Sequence, residues 1–160
     1  MKLGILILVA IISMGLAGCM SDVEEHDNYV DPELSVYVQT FFEEAEKKGI
    51  IIKNKELHIG FGAVDGDAQG MTYYNTRSIV IEKNGTGYKL IPEALVYHEL
   101  GHLFLDRPHD DSIIGNQYKC AKSLMDSHLQ INGGQWYANR RAYYVAELFN
   151  AQTPVPEWAF

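Results

Sequence analysis

The sequence predicts a single α+β domain: a helix packed on a small mixed β-sheet, a second helix carrying paired histidines, an irregular segment and a closing helix. Three observations predict it. Apolar residues recur at helical spacing over residues 32–48, again at 92–105, and again at 135–150. Between the first two stretches lie three short β-rich runs bounded by turn residues. The remainder, residues 106–134, is rich in Asp, Asn, Ser and Gly and holds no long periodic pattern.

In the first helix Leu34, Val38, Phe41, Phe42 and Ala45 follow helical spacing. Asp31 can cap it, Pro32 suits its first position, and Gly49 can end it. Its apolar side should cover one face of the sheet. Strands are expected within residues 57–63, in "MTYYNT" (71–76) and in "RSIVIEK" (77–83), with "NGTG" (84–87) as a turn. The loop "DGDAQG" (65–70) is an ordinary turn, since no twelve-residue series of calcium ligands follows. "PEALVYHELGHLFL" is apolar almost all round, which marks a mostly buried helix, and Pro108 forbids its continuation. In the last helix Trp136, Tyr137, Tyr144, Leu148 and Phe149 are the packing residues, while Arg140 and Arg141 form its wet face.

The N-terminus stands apart. "MKLGILILVAIISMGLAGC" has a basic start at Lys2, an apolar run and small residues before a cysteine, the pattern of a secretion signal over residues 1–18. Leu16-Ala17-Gly18-Cys19 resembles a bacterial lipobox, which makes Cys19 the lipidated first residue of the mature chain and the membrane anchor. Several acyl chains hold a protein on a bilayer far more firmly than one. Residues 19–31 are polar and acidic and read as a tether, which leaves 32–160 as the folded domain. The stretch resembles the acidic segments that follow the cysteine in some surface-displayed Bacteroidetes-type lipoproteins. The expected location is therefore the bacterial cell envelope, at the outer membrane or cell surface. A formal charge of −8 argues against nucleic acid or an anionic membrane surface as partner. With Cys19 lipidated, Cys120 is the one remaining thiol, so no intramolecular disulfide is expected. A monomer is expected.

The chemistry concentrates in "HELGHLFLDRPHD", residues 98–110. His98 and His102 lie one helical turn apart, so both imidazoles can grip one zinc ion. Glu99 sits beside them as candidate general base, able to take a proton from water polarised by the metal and hand it to a leaving amine. Histidines and a glutamate on a buried helix would otherwise bury too much polarity. Two histidines leave the site incomplete, and Asp106, His109 and Glu147 compete as third ligand. On a straight helix Asp106 lies about 12 Å along the axis from His98, too far to share an ion. Asp106 reads better as the turn, a residue tolerant of left-handed backbone angles. A reversal there, followed by Arg107 and Pro108, delivers His109. Glu147, in "VAELF" on the last helix, remains the alternative.

This segment resembles the zinc motif of metzincin metallopeptidases, H-E-x-x-H-x-x-G-x-x-H. It differs by one extra residue before His109 and by Asp106 in place of the turning glycine. It is more similar still to H-E-L-G-H-x-x-x-G-x-x-H-D of small zinc-peptidase lipoproteins of Bacteroidetes, again with Asp for Gly. The resemblance implies a metzincin-like domain with His98, His102 and His109 as zinc ligands and Glu99 as general base. "CAKSLMDSH" then supplies a Met-turn at Ser123-Leu124-Met125, with Met125 as an apolar floor beneath the histidines. The tyrosine that follows this turn in many metzincins is replaced by Ser127 and His128. Oxyanion stabilisation therefore has no assigned side chain, and His128, Tyr137 and Tyr143 are its candidates.

The expected activity is that of a zinc metallopeptidase, an endopeptidase acting on peptides or proteins. Residues 60–63 could form the edge strand that pairs with an extended substrate. Asp110 could accept a bond from a ligating imidazole. Cys120 is expected as a buried inert thiol, and His26 and His58 as ordinary residues. Two other readings stay open: a gluzincin-type peptidase with Glu147 as third ligand, or a non-catalytic surface lipoprotein stapled by zinc, which would need a fourth protein ligand.

Overall fold

Residues 28–115, 119–129 and 140–160 are described in a computed structural model. The signal segment, Cys19, His26, most of the tether, Trp136 and Tyr137 lie outside the described residues. The fold is mixed α+β. Strand β1 (Tyr29–Val30) leads into α1 (Ser35–Lys47), and then come β2 (His58–Phe61), β3 (Gly70–Tyr73) and β4 (Ser78–Ile81). Helix α2 (Thr86–Leu90) precedes α3 (Pro92–Leu105). The short strands β5 (Ile113–Ile114) and β6 (Cys120–Ala121) pair antiparallel, and α4 (Arg141–Phe149) is followed by a 3-10 turn at Glu157–Ala159.

The sheet order is β1-β2-β4-β3. β1 and β4 both run parallel to β2, and β3 runs antiparallel to β4, with Thr72 opposite Ile79. Along β4, Ile79 and Ile81 are fully buried while Ser78 and Val80 are not, the alternation a pleated strand imposes. Their buried side joins Ile59, Leu95 and Leu100 in one core that Val38 and Phe41 complete from α1. Helix α3 runs through this core, with every residue from Ala94 to Gly101 buried. A helix apolar on most sides must lie between layers, and α3 is flanked by α1 and the β3–β4 hairpin.

Several expectations need correction. The tether was expected to run to residue 31, but Tyr29 and Val30 are strand β1. Both residue types favour strands, Tyr29 N donates to Leu57 O at 3.0 Å, and Leu57 N donates to Asn28 Oδ1 at 2.7 Å. Helix α1 starts at Ser35, not Pro32, because Asp31 Oδ1 accepts from Glu33 N and closes a turn first. Gly49 does end the helix, at φ +74°, with Ile50 N donating to Ala45 O. Helix α1 packs chiefly on α3 rather than across a sheet face, through Phe41 against Tyr97. The turn at "NGTG" runs on into α2. Arg141 is not on a wet face: it grips Glu93 of α3 with a 2.7 Å bond from Nη2 and lies 3.6 Å from Glu44 of α1. Arg140 lies over the Trp158 ring. No helix among the described residues is long and apolar enough to cross a membrane.

Candidate metal centre

Helix α3 ends where the chain must turn. Asp106 adopts left-handed angles, φ 52° and ψ 36°, and Arg107 N donates back to Gly101 O at 3.2 Å. The reversal brings His109 to the two helical histidines. The Nε2 atoms lie 3.0 Å apart for His98 and His102, 3.3 Å for His98 and His109, and 3.2 Å for His102 and His109. Asp106 itself is exposed and belongs to no group of converging ligand atoms among the described residues.

The other ring nitrogens determine what these Nε2 atoms present. His98 Nδ1 lies 2.9 Å from Leu124 O, and His102 Nδ1 lies 2.6 Å from Arg107 O. A carbonyl only accepts, so Nδ1 carries the proton on both rings and each Nε2 turns a lone pair inward. Lone pairs converging at these spacings repel one another unless a cation lies between them. Four nitrogens at zinc–imidazole distance in a tetrahedron would stand about 3.3 Å apart, so the triangle fits such an ion. Burial pushes His98 down to about 3, aided by the neighbouring imidazoles and opposed by the Leu124 carbonyl; His102 is lowered mainly by burial too. Both rings are thus kept neutral, as a metal ligand must be. The group His98, His102 and His109 can hold a metal ion.

Met125 is fully buried under this helix. A Cβ at Gly101 would stand 3.0 Å from Met125 Sδ and 2.7 Å from Leu148 Cδ1. Glycine between the two histidines therefore lets both the methionine turn and α4 approach the helix closely. The turn is tied in place, since Met125 N donates to Ser123 Oγ and Asp110 N donates to Met125 O.

Glu99 is 5% exposed and points towards β3. Thr72 Oγ1 donates to Glu99 Oε2 at 2.6 Å, and a Cβ at Gly70 would come within 2.6 Å of Glu99 Oε1. Burial pushes the carboxyl up to about 7, against the opposing effect of the Thr72 bond. A cleft of about 820 Å³ opens before the histidines, walled by Met71, Thr72 and Tyr74 on one side and by Leu90, Leu95 and Leu129 among the rest.

The remaining candidates separate cleanly. Glu147 is fully buried, but its oxygens are bound to Arg107, Ser123 and Leu124 and do not face the histidines. Asp110 pairs with Lys122 and Ser112, and the bonds that orient His98 and His102 come from backbone carbonyls instead. His128 lines the cleft, with Ser127 Oγ on its Nδ1. Tyr143 is spent elsewhere: its hydroxyl donates to Lys122 O. Cys120 is buried in β6, with Arg140 Nη1 3.2 Å from its sulfur, and is not among the converging ligand atoms. His58 is exposed and stacks on Tyr29. Residues 60–63 do not line the cleft: β1 pairs β2 only at His58 and Ile59, β4 runs along the other side of β2, and among the described residues the edge strand that lines the cleft is β3.

Thr72, Gly70 and the Leu124 and Arg107 carbonyls were not singled out from the sequence. "MTYYNT" announces a strand, but nothing in it says that Thr72 will meet Glu99 across the fold. No family model, curated protein or solved structure matches this chain.

Proposed function

We propose that this protein is a zinc metallopeptidase of metzincin-like build, tethered to a bacterial envelope membrane through Cys19. The observation that carries the reading is the triangle of Nε2 atoms, 3.0–3.3 Å on a side, opening on a cleft beside a buried carboxyl. His98, His102 and His109 would hold the ion. Bound zinc would supply Lewis acidity, polarising water and a peptide carbonyl. Glu99 accepts the proton of the attacking water and passes it to the leaving nitrogen. Thr72 holds that carboxyl in one orientation, and Gly70 leaves it room. The free side of β3 offers backbone groups to an extended peptide, and the apolar wall of Leu90, Leu95 and Leu129 suits an apolar side chain.

The gluzincin alternative is disfavoured because every oxygen of Glu147 is already engaged away from the histidines. A zinc staple is disfavoured because the converging group has three members among the described residues, where a structural ion wants four. The test is direct. Zinc-loaded protein incubated with a broad peptide mixture should yield internal cleavage products by mass spectrometry. Chelation should stop the cleavage and added zinc restore it. A zinc-loaded protein that cleaves no peptide in the mixture would sink the proposal.

A further inference from the structure

The pair Arg107–Glu147 is an expensive arrangement. Nη2 and Oε1 are 2.6 Å apart, and the side chains are 14% and 0% exposed. Removing two charges from water commonly costs more than their attraction returns, so a buried pair is weak evidence of stability for its own sake. Its neighbours suggest another role. The backbone carbonyl of Arg107 accepts from His102 Nδ1 at 2.6 Å. The guanidinium of the same residue donates to Glu147 Oε1 and to the carbonyls of Glu147 and Leu148 at 2.8 and 2.7 Å. The second oxygen of Glu147 accepts from Ser123 Oγ at 2.7 Å and from Leu124 N at 3.3 Å. Leu124 O then holds His98 Nδ1. Starting at His102, an unbroken series of bonds crosses the ion pair and ends at His98.

We infer that Arg107 and Glu147 are positioning residues of the metal centre: they hold the two carbonyls that set the tautomer and ring orientation of His98 and His102. The inference rests on the metal-site reading above. It gives Glu147 a part in the site without making it a ligand. It also explains the residue type at 107, since a guanidinium fork can bond a carboxylate and two carbonyls at once, while an ammonium is a point charge without that geometry. Three separate segments meet here: the turn after α3, the methionine turn and α4. Loosening the pair frees both carbonyls together, which a single lost backbone bond would not do. Groups that orient metal-bound histidines are typically worth about 10–100-fold in metal affinity.

The experiment is a zinc competition titration of the intact folded chain against a chromophoric chelator, with turnover playing no part. Glu147→Gln keeps the shape and removes the charge; Arg107→Lys keeps the charge and removes the fork. Each is expected to bind zinc about 10–100-fold more weakly than the unaltered protein. Val38→Ala, a core truncation in α1, serves as the control: it lowers the melting temperature without changing the zinc affinity of the folded protein. A second measurement needs no variant. Nitrogen-15 shifts of the metal-free, unaltered protein should show His98 and His102 protonated at Nδ1 and bare at Nε2. Affinities of both variants within about threefold of the unaltered protein would overturn the inference while leaving the metal site standing. Mixed tautomers at His98 and His102 would overturn it even if neither variant folds. Failure of the unaltered protein to take up zinc would refute the metal-site reading itself.

Discussion

On the proposed function, replacing Glu99 by Gln should lower kcat/KM for peptide hydrolysis by about 10²–10⁴-fold and leave one equivalent of zinc bound. The size follows from what a positioned general base contributes, and the retention of zinc from where Glu99 lies. Its carboxyl bonds Thr72 and is packed against Gly70, so no ligand is lost when it becomes an amide. Gln has the same shape, and its carbonyl oxygen can still accept from the Thr72 hydroxyl. What it cannot do is take a proton from water. The metal-free protein carries an independent fingerprint of the same residue. Burial raises the Glu99 carboxyl to about 7 in the folded state, above its ordinary value. A group with a raised folded pKa favours folding when protonated, so that contribution is full below the ordinary carboxylate range and is lost as pH rises through about 7. The buried histidines, held low, contribute the opposite slope below their ordinary value in both proteins, so the difference in stability between the metal-free unaltered protein and Glu99→Gln across this window should carry the Glu99 slope. Hydrolysis within about threefold of the unaltered rate would take the general-base role away from Glu99.

Phe41→Ala costs about 3–5 kcal/mol of folding stability, the range for emptying a buried aromatic site. Phe41 is fully buried at the junction of α1 with α3 and α4, its ring 5.4 Å from Tyr97, 5.2 Å from Phe149 and 5.6 Å from Phe42. Three helices lean on this one ring, and the rigid neighbours leave little scope for collapse into the space. Tyr97 precedes His98 in the chain, so the cluster also supports the helix that carries the candidate ligands. Urea denaturation of the metal-free protein should show a lower midpoint with an unchanged slope. A loss under about 1 kcal/mol would mean the helices repack, and that α3 does not depend on this contact.

Legibility in the sequence tracked the range of the interaction. Helix α3 was read to its ends because an apolar run, Pro92 at its start and Pro108 beyond its end are all local signals. The turn at Asp106 was also legible, since the required backbone angles are a property of one residue and its neighbours. Parallel pairing was not. That Tyr29 and Val30 would join a sheet through residues 58 and 59 depends on partners far along the chain, and two residues carry no period. The same limit hid the edge. Residues 57–63 and 71–76 both read as strands, and only the order β1-β2-β4-β3 decides which one borders the cleft. Arg141 shows the converse failure. The default of a charged residue on an amphipathic helix is a solvated face, yet Arg141 is held by Glu93; for Glu147 a bond to a basic residue is a legible alternative to ligation, but nothing local names Arg107 as its partner.

The proposed centre is a zinc ion held by His98, His102 and His109, with a fourth position open to the cleft. X-ray absorption at the zinc edge of the loaded protein tests it most directly. The expected spectrum has three nitrogens with the outer-shell scattering of imidazole rings and one oxygen without it, all at about 2.0–2.1 Å. A sulfur near about 2.3 Å, or a fourth imidazole in place of the oxygen, would close the site and contradict the account.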